Sequence, residues 1–174
     1  MRYRAFILLG ALFATAPAAA QPAPTGFGAE FLRQFNSSME KVIQLAKAMP
    51  ADKFGWSPSP GTMTVAKVYA HIAHYNYMYP ANSLGAPAPD GRDKDATEEI
   101  ADKAALVSLL EESRTHVQNV VKGLPADLAP ETTLYGRKVG QWAVLVQLLA
   151  HMNEHVGQSV AYARMNGVVP PWSR

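Results

Sequence analysis

Residues 139–166, VGQWAVLVQLLAHMNEHVGQSVAYARMN, decide the fold. At helical rotation, Trp142, Leu145, Leu149, Met152 and Val156 form one stripe. Val144, Leu148, His151, His155, Gln158 and Tyr162 form a second, about 100° away. A helix apolar on two faces is surrounded by neighbours. Asn166-Gly167 supplies its C-cap, and Val168 to Arg174 is a short Pro-containing tail.

The partners lie upstream. Over about 28–49, Phe31, Phe35, Ser38, Val42, Leu45 and Met49 recur at steps of three and four, the seam of a helix packed lengthwise on others, and Pro50 stops it. A rigid loop containing Trp56-Ser57-Pro58-Ser59-Pro60-Gly61 follows. The next helix, about 64–79, has Thr62 or Thr64 as cap and a seam of Thr64, Val68, His71, Tyr75 and Met78, with Pro80 ending it. A third starts near Asp95, where Asp95-x-x-Glu98 reads as a capping box, or at Asp102. It runs to about Gly123 with Leu106, Leu110, Ser113, Val117, Val120 and Leu124 in register. No strand alternation or tandem repeat is expected.

Four helices imply an all-α four-helix bundle. The connection from Ala81 to Ala96 is rich in Pro, Gly and Asp. It can extend roughly 50 Å, against about 24 Å for the second helix. This helix 2–helix 3 crossover can span the bundle and leave the two helices parallel. The 174 residues suit one domain: a signal peptide over 1–20, a linker over 21–27, and the bundle over 28–174. Arg2 and Arg4, the apolar run Ala5 to Ala16, and Ala18-Ala19-Ala20 form a Sec-type signal expected to be cleaved after Ala20. An uncleaved anchor is the alternative. The expected product is bacterial and periplasmic or secreted.

Sixteen basic and fourteen acidic residues become fourteen of each without Arg2 and Arg4. No basic field then argues for nucleic acid or, after cleavage, for a membrane. The exposed helix faces leave room for a homodimer without arguing for one. Cys is absent, which excludes disulfides, thiolate metal sites, Fe–S clusters and a cysteine nucleophile.

Metal chemistry must therefore use His, Asp and Glu. His151 and His155 are consecutive on one stripe, and an i, i+4 spacing brings two rings to one side of a helix. His71 lies on its helix's seam between Val68 and Tyr75, whereas His74 is rotated away from the apolar centre. Three neutral imidazoles from two helices would hold one divalent ion with open positions, the form of catalytic zinc or nickel sites. The alternative is core histidines satisfied by Tyr75, Tyr162, Gln158 or one another. Spacing alone does not choose. His116 and Glu112 read as a solvated i, i+4 pair. Trp56 and Trp172 are expected to cover bundle ends or line a pocket.

His151-Met152-Asn153-Glu154-His155 also fits H-x-x-E-H, but that protease pattern needs a further ligand well downstream and is not expected to apply. Glu154 could still assist at a metal or orient a ligand, or be a solvated charge. No G-x-S-x-G elbow or Walker loop occurs. A bound ion would lower the pKa of a water or polarise a group of an unidentified small-molecule substrate, with Glu154 or Tyr75 assisting. The competing expectation is a bundle that binds metal or a small ligand without turnover.

Several of these residues together resemble the DinB-like superfamily of DinB/YfiT-type metalloenzymes. They are Trp56-Ser57-Pro58-x-Pro60-Gly61, then Thr64-Val65-x-x-Val68-x-x-His71-Ile72. His151-x-x-x-His155-x-Gly157-Gln158 and Arg164-x-Asn166-Gly167-Val168-x-Pro170-Pro171 complete the pattern. The resemblance covers about 28–172 and implies an up-down-down-up bundle with a three-histidine centre on His71, His151 and His155, commonly loaded with zinc or nickel. It further implies that some relatives are thiol-dependent transferases or isomerases. The signal peptide departs from the usual pattern and sets a cytoplasmic thiol cofactor at odds with an exported protein.

Overall fold

The computed structural model describes residues 26–173; the expected signal over 1–20 and its cleavage site lie outside them. The described residues include five α-helices: α1 (Phe27–Ala48), α2 (Val65–Ser83), α3 (Lys94–Glu98), α4 (Lys103–Gly123) and α5 (Gln141–Met165). Between α4 and α5 stands a hairpin of β1 (Glu131–Leu134) and β2 (Arg137–Gly140), antiparallel with Glu131 opposite Gly140 and Leu134 opposite Arg137. The long helices form a four-helix bundle, as the periodicity requires. No described helix is long and apolar enough to cross a membrane.

Side-chain pairs fix the topology. Lys47 meets Glu111, Arg114 meets Glu40, and Gln118 meets Asn36, so α1 and α4 run antiparallel. His71 meets His151, and Tyr79 meets Gln147, so α2 and α5 are also antiparallel. Phe27 shares a cleft with Val146, and Ser38 bonds Asn153, so α5 runs with α1. The order is up-down-down-up, with α2 and α4 parallel across the long crossover.

All six residues of the α1 seam are buried, Phe35, Val42, Leu45 and Met49 completely. Thr64 Oγ1 caps α2 by accepting from Lys67 N at 3.1 Å, while Thr62 Oγ1 donates to Ser59 O within the preceding loop. Asp102 caps α4 through Ala105 N at 2.8 Å. At the end of α5, Gly167 has φ 73°, Val168 N bonds Ala163 O and Gly167 N bonds Arg164 O. That pattern is a Schellman stop, for which glycine is the natural residue.

Five expectations need correction. Pro80 lies inside α2: the loss of one N–H near a C-terminus is tolerable, and Leu84 N still bonds Pro80 O, so the helix continues to Ser83. The start of the third helix is two starts. Asp93, not Asp95, caps α3 through Ala96 N, and Asp102 begins α4. The hairpin was missed because its strands are four residues each, too short for visible alternation. The α4 seam ends on Val121 rather than Val120. Trp142 leaves its stripe, half exposed, with its indole folded back over Gly140, where a Cβ would stand 2.6 Å from Nε1.

The extra turn of α2 holds the hairpin. Ser83 Oγ donates to Thr133 O at 2.7 Å, and Thr132 Oγ1 donates to Ser83 O. Ser83→Ala should cost about 1 kcal/mol, the usual worth of one such bond. Hydrogen exchange should quicken at the β1 and β2 amides and stay unchanged in α4; equal quickening throughout would refute a local pin.

Candidate metal centre

The stripes on α2 and α5 face each other and bring His71, His151 and His155 together, half-buried. His151 Nε2 lies 3.3 Å from His71 Nε2 and 3.2 Å from His155 Nε2. All three ligand atoms fall within 4.8 Å of one another. Two nitrogens bound tetrahedrally at zinc–nitrogen distances would be about 3.3–3.4 Å apart. The observed spacings fit a single ion.

The outer nitrogens settle which atoms offer lone pairs. His71 Nδ1 lies 2.8 Å from Glu98 Oε1. An ionised carboxylate only accepts, so Nδ1 carries the hydrogen and Nε2 of the neutral ring is bare. His155 Nδ1 lies 2.8 Å from Gln158 Oε1, and Gln158 Nε2 donates to the Tyr162 hydroxyl at 3.0 Å. His155 Nε2 is therefore bare as well. His151 Nε2 can donate to only one of them. Neutral imidazoles leave at least one inward lone pair without a donor, and a cation answers that deficit.

Charge follows the same logic. Burial pushes the His151 imidazole down to about 3, and His155, His71 and His74 oppose its protonation further. His155 is lowered too, chiefly by burial. Burial alone would raise Glu98, but its hydrogen bond to His71 and the nearby ammonium groups of Lys67 and Lys94 hold it below the ordinary carboxylate value. Lys67 Nζ stands 3.7 Å from Glu98 Oε2.

Tyr75 joins the cluster: its ring centroid is 4.5 Å from that of His71 and 4.2 Å from that of His151. Glu154 is exposed on the helix edge, acting on His155 only as a nearby charge. Trp56 packs edge-on to Tyr162 at 5.4 Å, beside the Gln158 contact, and Trp172 lies under Lys41 on α1.

His74, rotated from the apolar centre of its own helix, is nonetheless buried: α3 packs on α2, and the charges of Asp93, Lys94 and Glu98 act on its ring. Its Nδ1 has no hydrogen-bond partner, and burial lowers its pKa. His116 is not a solvated partner of Glu112. Its ring packs on Tyr77 at 5.1 Å with Nε2 buried, while Glu112 bonds Arg92 and Ser108. Sequence reasoning missed Glu98 as a ligand-orienting group by assigning it to a helix cap. Its only signal was a carboxylate in the crossover, which points to no particular histidine.

The family profile of the DinB superfamily matches residues 34–162. No curated protein matches the sequence. Among solved structures, a DinB-like protein from Bacillus cereus superposes with a TM-score of 0.72 at 17% identity, over 81% of this chain and 93% of that one. A DinB-like protein from Bacillus subtilis gives 0.62 at 19%, over 79% and 92%. A mycothiol-dependent maleylpyruvate isomerase gives 0.57 at 22%, over 77% of this chain and 62% of its own. At these identities the likeness concerns the fold.

Two outcomes are expected. Glu98→Gln keeps the size but loses the obligate acceptor, and metal affinity should fall about ten- to a hundredfold; competition with a chromophoric chelator measures it, and unchanged affinity would remove Glu98 from the site. The second concerns pH. Because folding lowers the His151 pKa from 6.5 to about 3, the unfolded chain binds a proton that the native state refuses between those values. Its contribution to stability is complete above about pH 6.5 and is lost as the pH falls towards 3. Urea unfolding of metal-free protein at pH 7 and 4.5 should show that loss, reduced in His151→Gln; an identical slope in the variant would assign the loss elsewhere.

Proposed function

This chain belongs to the DinB superfamily, and from that premise we propose that it is a metal-dependent enzyme. In this reading His71, His151 and His155 hold one divalent ion, zinc or nickel, and the substrate is a small molecule that undergoes hydrolysis or group transfer. The observation that carries the reading is the convergence of Nε2 atoms at 3.2 and 3.3 Å with two outer nitrogens committed to Glu98 and Gln158. A bound divalent ion supplies Lewis acidity, polarising a substrate group or lowering the pKa of a water.

The chain's own groups do the rest. Three protein ligands leave coordination positions open, as catalytic sites do and closed structural sites do not. Tyr75 packs against two of the ligand rings and restricts their rotation. It is the better placed of the two assisting residues; Glu154 would act only on substrate approaching from the solvent edge. The signal read over residues 1–20 makes this a proposal for a periplasmic or secreted enzyme. One structural neighbour is described as mycothiol-dependent, which makes thiol-dependent transfer one form the reaction could take, and export weighs against it.

Elemental analysis of the purified protein should find about one zinc or nickel per chain, as a single site requires, and His155→Ala should lose it. Equal, substoichiometric metal in both would end the reading. Cobalt substitution then separates enzyme from binder: azide should shift the visible bands of an open centre, and a closed binding site would leave them unmoved.

A further inference from the structure

Tyr135 occupies the first central position of the two-residue turn between β1 and β2, with φ 50°, and Gly136 follows with φ 75°. Such turns favour Asn-Gly or Asp-Gly, because both central residues need positive φ. A bulky aromatic residue there is an outlier. Burial does not explain it, since Tyr135 is 64% exposed. Local strain of this kind persists where surrounding structure enforces it, often at working sites.

What the position accomplishes is a contact. The Tyr135 hydroxyl bonds that of Tyr79, which is buried. Gln147 Nε2 donates to the same Tyr79 oxygen at 3.4 Å. The Tyr79 ring stands edge-on to His151, with centroids 6.0 Å apart. Gln147 precedes His151 by four residues on α5, a rise of about 6 Å. The phenol pair therefore lies beside the imidazole cluster, displaced about one turn along the helix. Its position is fixed from below by the two Ser83 bonds to β1.

Counting protons gives the pair a chemistry. The bond between the phenols uses one of two O–H protons, and Gln147 already occupies a lone pair on Tyr79. No bond observed within this group takes the second phenol proton, and Gln147 has a second N–H. Donors gathered beside a cation site suit an oxygen-rich acceptor, and bonds to an ionised acceptor are roughly twice as strong as neutral ones.

We propose that Tyr135 and Tyr79, supported by Gln147, form a second substrate subsite that takes the carboxylate of a small organic acid whose other end reaches the three-histidine centre. The proposal rests on the metal-site reading above and names the substrate class for it. Substrate entry replaces the phenol–phenol bond with bonds to the carboxylate. The Tyr79 and His151 rings, 6.0 Å apart between centroids, set the length scale for an acid of roughly four to five carbons.

Calorimetry on zinc-loaded protein tests this with glutarate and butyrate as probes, zinc content being measured in every sample. Glutarate should bind about tenfold more tightly than butyrate, as one good charge-assisted contact allows. Tyr135→Phe should erase that advantage while leaving zinc content and butyrate affinity unchanged. Tyr135→Asn, which suits the turn, should also lose it with an equal or higher Tm. Wild type without a glutarate preference, or Tyr135→Phe retaining it, overturns the subsite while the metal centre stands. Wild type unable to retain zinc overturns both.

Discussion

Two hydrogen bonds on outward-facing nitrogens, His71 to Glu98 and His155 to Gln158, govern the centre of this bundle. Each fixes a tautomer, and each therefore leaves a bare nitrogen pointing inward. Without them the rings could turn or exchange protons until each inward lone pair met a donor. With them, the buried face of α2 meets that of α5 through lone pairs. Such an arrangement is unfavourable in an apolar setting unless a positive charge enters. The metal reading comes from this electrostatic conflict as much as from the identity of the residues.

Much of this was readable in the sequence because helical periodicity is local. Phe31 to Met49 could be placed on one face by counting, and all of that face is buried. The same counting put His71, His151 and His155 inward and the length of the crossover allowed α2 and α4 to run parallel. What escaped was non-local. Pro80 looked like a stop because the rule concerns backbone hydrogen bonds, whereas the last turn of α2 is kept by contacts to a hairpin fifty residues away. His74 and His116 were judged by their own helices, but α3 buries the first and Tyr77 covers part of the second. Glu98 could not be matched to His71 without knowing the path of the crossover.

The two ends of the site are built differently. Around the imidazoles, rigid helices set positions and neighbouring side chains set proton locations. Along the adjoining stretch of α5, the polar groups come from a short hairpin whose tip residue adopts an unfavourable backbone angle. The likeness to other DinB-like structures concerns the fold, and in this chain the hairpin places Tyr135 against Tyr79, beside His151.

The order of helices around the bundle has a chemical consequence. Had each helix packed beside its predecessor in a simple circuit, α2 and α5 would occupy opposite corners. Neighbouring axes lie about 8–10 Å apart and diagonal ones about 12–14 Å, so rings on opposite corners would be separated by the core itself. Here α1 adjoins α4 and α5 instead, so the α1–α2 loop and the segment joining α4 to α5 cross the diagonal and make α2 and α5 neighbours. In this protein, connectivity determines which side chains can share an ion, and the two linkers that cross the end of the bundle make the centre geometrically attainable.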